Sequence, residues 1–153
     1  MVKKTSLKNL MMLVLSVSLV IGVVLTSACA GKQVDTPNQE TPTQIIKDIT
    51  TREASTLMQE NQGNPDFVII DVRTKEEFVD GYIENAYNID FYPETFWDEL
   101  DNLDKDKNYL IYCRSGNRSG KALNVMAELN FKEVYNMLGG ILSWEAEGLP
   151  IIK

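Results

Sequence analysis

Two short apolar runs, each ending on a polar residue, constrain this chain more than any other feature. Phe67-Val68-Ile69-Ile70 ends at Asp71, and Tyr109-Leu110-Ile111-Tyr112 ends at Cys113. The first is continuous and reads as a strand buried on two faces; the second is an apolar, β-favouring stretch that reads as another strand. Helices must then cover both faces, and the intervening segments supply them. Thr50 with Glu53 three residues on has the capping-box pattern, and Ala54, Leu57 and Met58 give the helix that follows one apolar face. Residues 74–79 predict a short helix and residues 86–89 a short strand. Residues 95–103 predict a helix with Phe96, Trp97 and Leu100 in the core. Residues 121–129 are helical, with Ala122, Val125, Met126 and Leu129 on one face. Residues 133–137 read as a strand, which Gly139-Gly140 ends before a last helix carrying Leu142 and Trp144. Strands alternating with helices imply an α/β domain, a mostly parallel central sheet flanked by helices. Ligands of such sheets sit at the carboxyl ends of the strands, where Asp71 and Cys113 both fall.

The first 28 residues do not belong to that domain. Lys3, Lys4 and Lys8 precede a nearly unbroken apolar run over residues 10–25, and Thr26-Ser27-Ala28 lead to Cys29. A basic start, a short apolar stretch and small residues describe a secretory signal peptide. This run of sixteen residues falls short of the roughly 20 that span a membrane. Leu25-Thr26-Ser27-Ala28-Cys29 resembles the lipobox of bacterial lipoproteins, although leucine usually stands where Thr26 does. The resemblance implies lipidation of Cys29 and an extracytoplasmic protein tethered to a membrane; precursor accumulation under globomycin is its test. An uncleaved anchor and ordinary secretion are the alternatives. Residues 29–44, rich in Pro, Gln and Thr, read as a disordered tether, leaving residues 45–153 as one domain.

The whole chain carries 15 basic and 22 acidic residues, and loss of residues 1–28 removes three lysines and no acid, for a net charge of −10. An acidic surface argues against nucleic acid or anionic lipid as a partner. A monomer is expected. With no histidine and one cysteine besides Cys29, no metal site is implied, and no cofactor.

Cys113 opens the run Cys-Arg-Ser-Gly-Asn-Arg-Ser. A strand delivers the thiol to a loop of small and polar residues, and a helix starts at the loop's far end. Consecutive backbone N–H groups and a helix N-terminus then form an anion-binding cup that favours the thiolate. Because the chain lacks histidine, activation must come from backbone dipoles and from Arg114 and Arg118. A buried, inert thiol is the bland alternative, and two arginines among small polar residues argue against it.

These seven residues resemble the active-site loop of single-domain rhodaneses, sulfurtransferases that carry sulfur as a cysteine persulfide. Phe67-Val68-Ile69-Ile70-Asp71-Val72-Arg73, then Glu76-Glu77-Phe78 and Gly81-Tyr82-Ile83-Glu84-Asn85-Ala86, resemble the upstream signature of that family. Val134-Tyr135-Asn136-Met137-Leu138-Gly139-Gly140-Ile141, Trp144 and Gly148-Leu149-Pro150 resemble its C-terminal signature. The resemblance implies Cys113 as the catalytic nucleophile. A small anionic sulfur donor such as thiosulfate loads it, and a thiol or cyanide accepts the sulfur. Arg114, Ser115, Gly116, Asn117, Arg118 and Ser119 are the implied substrate-binding ring. Arg118 grips the donor through two parallel hydrogen bonds and Arg114 stands at the rim. Ser115, Asn117 and Ser119 serve equally as turn and cap residues. Asp71 supports the loop, and Arg73 pairs with Glu77. Tyr82 departs from the family, many of whose members have histidine there.

Two rivals stay open. Dual-specificity phosphatases and some arsenate reductases share the fold and a Cys loop closed by Arg, but five residues separate that pair in the phosphatases. Four do so here. The smaller loop suits sulfur better than a phosphoryl group. The other rival is a non-catalytic rhodanese-like module that binds anions or a persulfidated partner.

Overall fold

The computed structural model describes residues 43–153; residues 1–28, Cys29 and all but the last two residues of the expected tether lie outside them. Five strands form one sheet: β1 (Ile45–Ile49), β2 (Phe67–Asp71), β3 (Ala86–Asn88), β4 (Asn108–Tyr112) and β5 (Glu133–Met137). Their order is β1-β5-β4-β2-β3, and every pairing is parallel. Between them run α1 (Thr51–Glu60), α2 (Lys75–Val79), α3 (Phe96–Asp101), α4 (Asn117–Glu128) and, last, α5 (Gly140–Ala146).

The α/β architecture read from the sequence is the one observed. Side chains alternate across β4 into two cores. Tyr109, Ile111 and Cys113 join Phe96, Leu100, Ala122 and Met126 on the face covered by α3 and α4. Leu110 and Tyr112 join Ala54, Ile141 and Trp144 on the face covered by α1 and α5. A strand flanked by helices on both sides therefore has no polar face, which explains its unbroken apolar sequence. Each fully buried aliphatic side chain of this kind stabilises the fold by about 1.5–3 kcal/mol.

The Thr50–Glu53 capping box forms: Glu53 N donates to the Thr50 hydroxyl and Thr50 N to the Glu53 carboxylate. A second box, which the sequence reading did not single out, joins Thr74 and Glu77 at the start of α2. Trp97 stands 46% exposed rather than in the core, because α3 turns Phe96 and Leu100 inward and leaves the intervening ring to solvent. Strand β1 was not anticipated. It is an edge strand, buried only at Ile49, with Lys47 and Asp48 exposed. The fold takes hold of the chain at Gln44, whose amide donates to the carbonyls of Phe131 and Ala127.

Candidate active site

Cys113 follows directly on β4 and is 1% exposed. Two features shape the loop around it. First, the N-terminus of α5 meets the loop from outside: Ile141 N donates to the Cys113 carbonyl (2.9 Å) and Leu142 N to the Arg114 carbonyl (3.2 Å). Those carbonyls are drawn toward α5, which leaves amide N–H groups for the sulfur. Second, Gly116 adopts φ +91°, a left-handed conformation that suits glycine, and its N–H donates to Cys113 Sγ at 3.1 Å.

Helix α4 begins at Asn117, four residues earlier than expected, so Arg118 and Ser119 belong to its first turn. Its N-cap, Gly116, has no side chain to cap with, and no side-chain capping bond is made by Ser115, Asn117 or Ser119. The thiol sulfur stands where a capping oxygen ordinarily would, next to N–H groups that lack a partner inside the helix. The buried Ser119 hydroxyl donates to the same sulfur at 3.5 Å. Burial pushes the Cys113 thiol up. The Ser119 hydroxyl and the N–H groups of Ser119, Ser115 and Gly116 outweigh it and leave the thiol below its ordinary value. Ser119→Ala removes one of these donors and is expected to move the pH profile of Cys113 alkylation by iodoacetamide to higher pH, since only the thiolate reacts. An unmoved profile would show that the hydroxyl does not act on the thiolate.

The charged groups depart from expectation. Arg73 does not pair with Glu77. Its Nε lies 3.0 and 2.8 Å from the two Asp71 carboxylate oxygens, and Nη2 donates to Asp71 Oδ2 (2.6 Å) and to the Gly81 carbonyl (2.6 Å). Only Val72 separates Asp71 and Arg73, and both are buried, so the pair closes on itself. Arg73 N also donates to Asp71 Oδ1, so none of these carboxylate bonds reaches the 113–119 loop. The hydrogen bond that the Arg73 side chain makes beyond the pair is with Gly81, at the far end of the segment that carries α2.

Glu77, freed from Arg73, pairs with Arg118. Arg118 Nη1 donates to Oε2 (2.6 Å) and Nη2 to Oε1 (2.8 Å), the fork geometry expected for a bound donor. The Arg118 guanidinium also stacks 5.6 Å from the centroid of the Tyr92 ring, a neighbour that sequence reasoning missed. An exposed aromatic among polar loop residues carries no pattern that would have singled it out. The Arg118 hydrogen bonds, with help from Thr74 N–H and Arg73, bring the Glu77 carboxyl down to about 2 against the opposing push of partial burial. Glu77, then the Cys113 thiolate and Tyr92, raise Arg118 despite its own burial. Arg114 is exposed, as expected for the rim, and so are Ser115 and Asn117. A groove of about 630 Å³ lined by Met58, Phe67, Tyr87 and Trp144 includes none of the loop residues.

The fold and the loop define an α/β protein that places a cysteine sulfur, held by N–H and O–H donors, at the carboxyl end of its sheet. The model of the Rhodanese-like domain matches residues 53–147. The putative sulfurtransferase YtwF of Bacillus subtilis is 37% identical over 107 residues, 69% of this chain and 96% of that protein. A sulfurtransferase of Allochromatium vinosum is 31% identical over 100 residues, covering 65% and 92%. The crystal structure of a rhodanese-like domain protein from Staphylococcus aureus matches with a TM-score of 0.57 at 36% identity, over 70% of this chain and 99% of that one. The chain belongs to the rhodanese-like family. Its sulfurtransferase relatives place it, in general class, with the rhodanese-type transferases.

Proposed function

We propose that the protein moves sulfane sulfur from an anionic donor to a thiol or cyanide acceptor through a persulfide on Cys113. The observation that carries this reading is the sulfur itself, held at 3.1 Å from the Gly116 N–H and 3.5 Å from the Ser119 hydroxyl. In the first half-reaction the Cys113 thiolate attacks the outer sulfur of a donor such as thiosulfate. A sulfur–sulfur bond forms at Cys113 while the donor's own breaks, and sulfite leaves with the electron pair. In the second, cyanide attacks the terminal sulfur, thiocyanate leaves, and the thiolate is restored. No proton moves in either half. Donors already aimed at the sulfur need not reorganise as negative charge passes onto the persulfide, which is where fixed N–H groups act most strongly. Arg114, exposed at the rim, draws in anions.

Intact mass of the purified protein before and after thiosulfate, and again after cyanide, tests the reading. The expected result is a gain of one sulfur atom, lost with cyanide and absent in Cys113→Ala. A folded wild-type protein that gains no sulfur from thiosulfate or from an alkyl persulfide would instead be a binding module.

A further inference from the structure

The Glu77–Arg118 clasp has a consequence for which donors the site accepts, and this inference rests on the sulfur-transfer reading above. The loop brings two arginines to the thiol, but their charges are not equally available. Arg118 is engaged by both oxygens of Glu77 and covered by the Tyr92 ring. Glu77 is fixed in turn by the Thr74 N–H at 3.1 Å, so it is not free to swing away with its partner. Arg114 makes no ion pair among the described residues and is exposed. The mouth therefore offers one uncompensated arginine, against a thiolate of opposite sign.

We propose that Glu77 is a specificity-determining residue: by holding both arms of Arg118 it withholds that cation from the donor and selects singly charged sulfane donors over dianions such as thiosulfate. A dianion approaching the thiolate needs a second cation, and here it must compete with a carboxylate already in bidentate geometry. A donor with a single charge needs only Arg114.

Thiosulfate and methanethiosulfonate separate the alternatives. Both present a sulfane sulfur bonded to an oxidised sulfur, and they differ by one charge. Attack by the Cys113 thiolate forms the same persulfide from each; the leaving group is sulfite from the first and methanesulfinate from the second, taking the electron pair of the broken sulfur–sulfur bond. Glu77→Gln removes the charge and preserves the capping box, because glutamine serves at that position. The purified protein and this variant are compared by kcat/KM for each donor with cyanide as acceptor. The ratio of thiosulfate to methanethiosulfonate is expected to rise about ten-fold in the variant, the scale of one added charge contact at a partly exposed site, through a lower KM for thiosulfate. The gain should fade in 1 M salt, where screening reduces such contacts. Partial loss of folded protein lowers both donors alike and cancels in the ratio. An unchanged ratio, or a gain that survives high salt, overturns the assignment of Glu77 and leaves sulfur transfer standing. Failure of the wild type to load sulfur from thiosulfate, methanethiosulfonate and an alkyl persulfide alike overturns the transfer reading and this inference together.

Discussion

Gly140→Ala is expected to lower sulfur loading of Cys113 by about 100-fold or more and to destabilise the protein by about 2–4 kcal/mol. A Cβ on residue 140 would lie 2.3 Å from the Cys113 carbonyl oxygen and 2.7 Å from the carbonyl carbon and oxygen of Arg114. All three contacts are with backbone, which has no flexible end to move aside. Helix α5 cannot simply retreat, because Ile141 and Leu142 bind those same two carbonyls. Residue 140 also sits at φ +58°, a left-handed conformation that costs an alanine about 1–2 kcal/mol more than glycine. Relief requires the loop to shift, and the amide groups that face the sulfur shift with it. Gly116→Ala is the control: its Cβ would meet Gly139 N at 3.1 Å, a tight contact but a far smaller clash. Urea unfolding and mass-detected loading read the two effects, and a Gly140→Ala protein that loads at the wild-type rate would show that the close approach does not set the loop.

Asp71→Asn should be the most damaging substitution outside the loop, lowering stability by about 3–5 kcal/mol. Asp71 is fully buried, Arg73 is 6% exposed, and among the described residues no other carboxylate is within hydrogen-bond reach of the guanidinium. Asparagine keeps the shape and loses the charge, which strands a cation in the interior. The damage should also reach the loop indirectly, because Arg73 Nη2 fixes the Gly81 carbonyl and so the far end of the segment that carries Glu77. With total stability of a domain near 5–15 kcal/mol, a loss of this size would be plain in the urea midpoint. A midpoint unchanged from wild type would mean that the pair is solvated more than its burial indicates.

Strands β2 and β4 were legible because nothing polar interrupts them; they and β5, which carries Glu133 and Asn136, were read within a residue or so of their observed limits. Edge strand β1 was not, since Ile45-Ile46-Lys47-Asp48-Ile49 pairs on one side only and exposes its charged residues. The start of α4 was misplaced for a different reason. Gly116-Asn117-Arg118-Ser119-Gly120 has the composition of a loop, and the group that meets the donors at its start is no capping side chain of its own but the Cys113 sulfur, three residues upstream of Gly116. The Arg73–Glu77 pairing came from the family resemblance alone. Residues four apart meet when both lie on one helix, but Arg73 precedes α2 and turns back to Asp71. The signal for Glu77 was present in Thr74-Lys75-Glu76-Glu77, a capping box that fixes the carboxylate at the helix start before Arg118 reaches it.

The sheet order joins opposite ends of the domain. Strand β1 lies beside β5, and Asp48 meets Asn136 across that seam in both register and side-chain contact, 88 positions apart. During vectorial synthesis at about 5–20 residues per second, β1 waits roughly 4–18 s before the strand it pairs with exists. Its edge stays unsatisfied throughout, and parallel pairing over such a separation is slow to form even once both partners are available. The nascent chain thus passes a long interval with its sheet open, during which a chaperone meets an incomplete sheet rather than a finished domain.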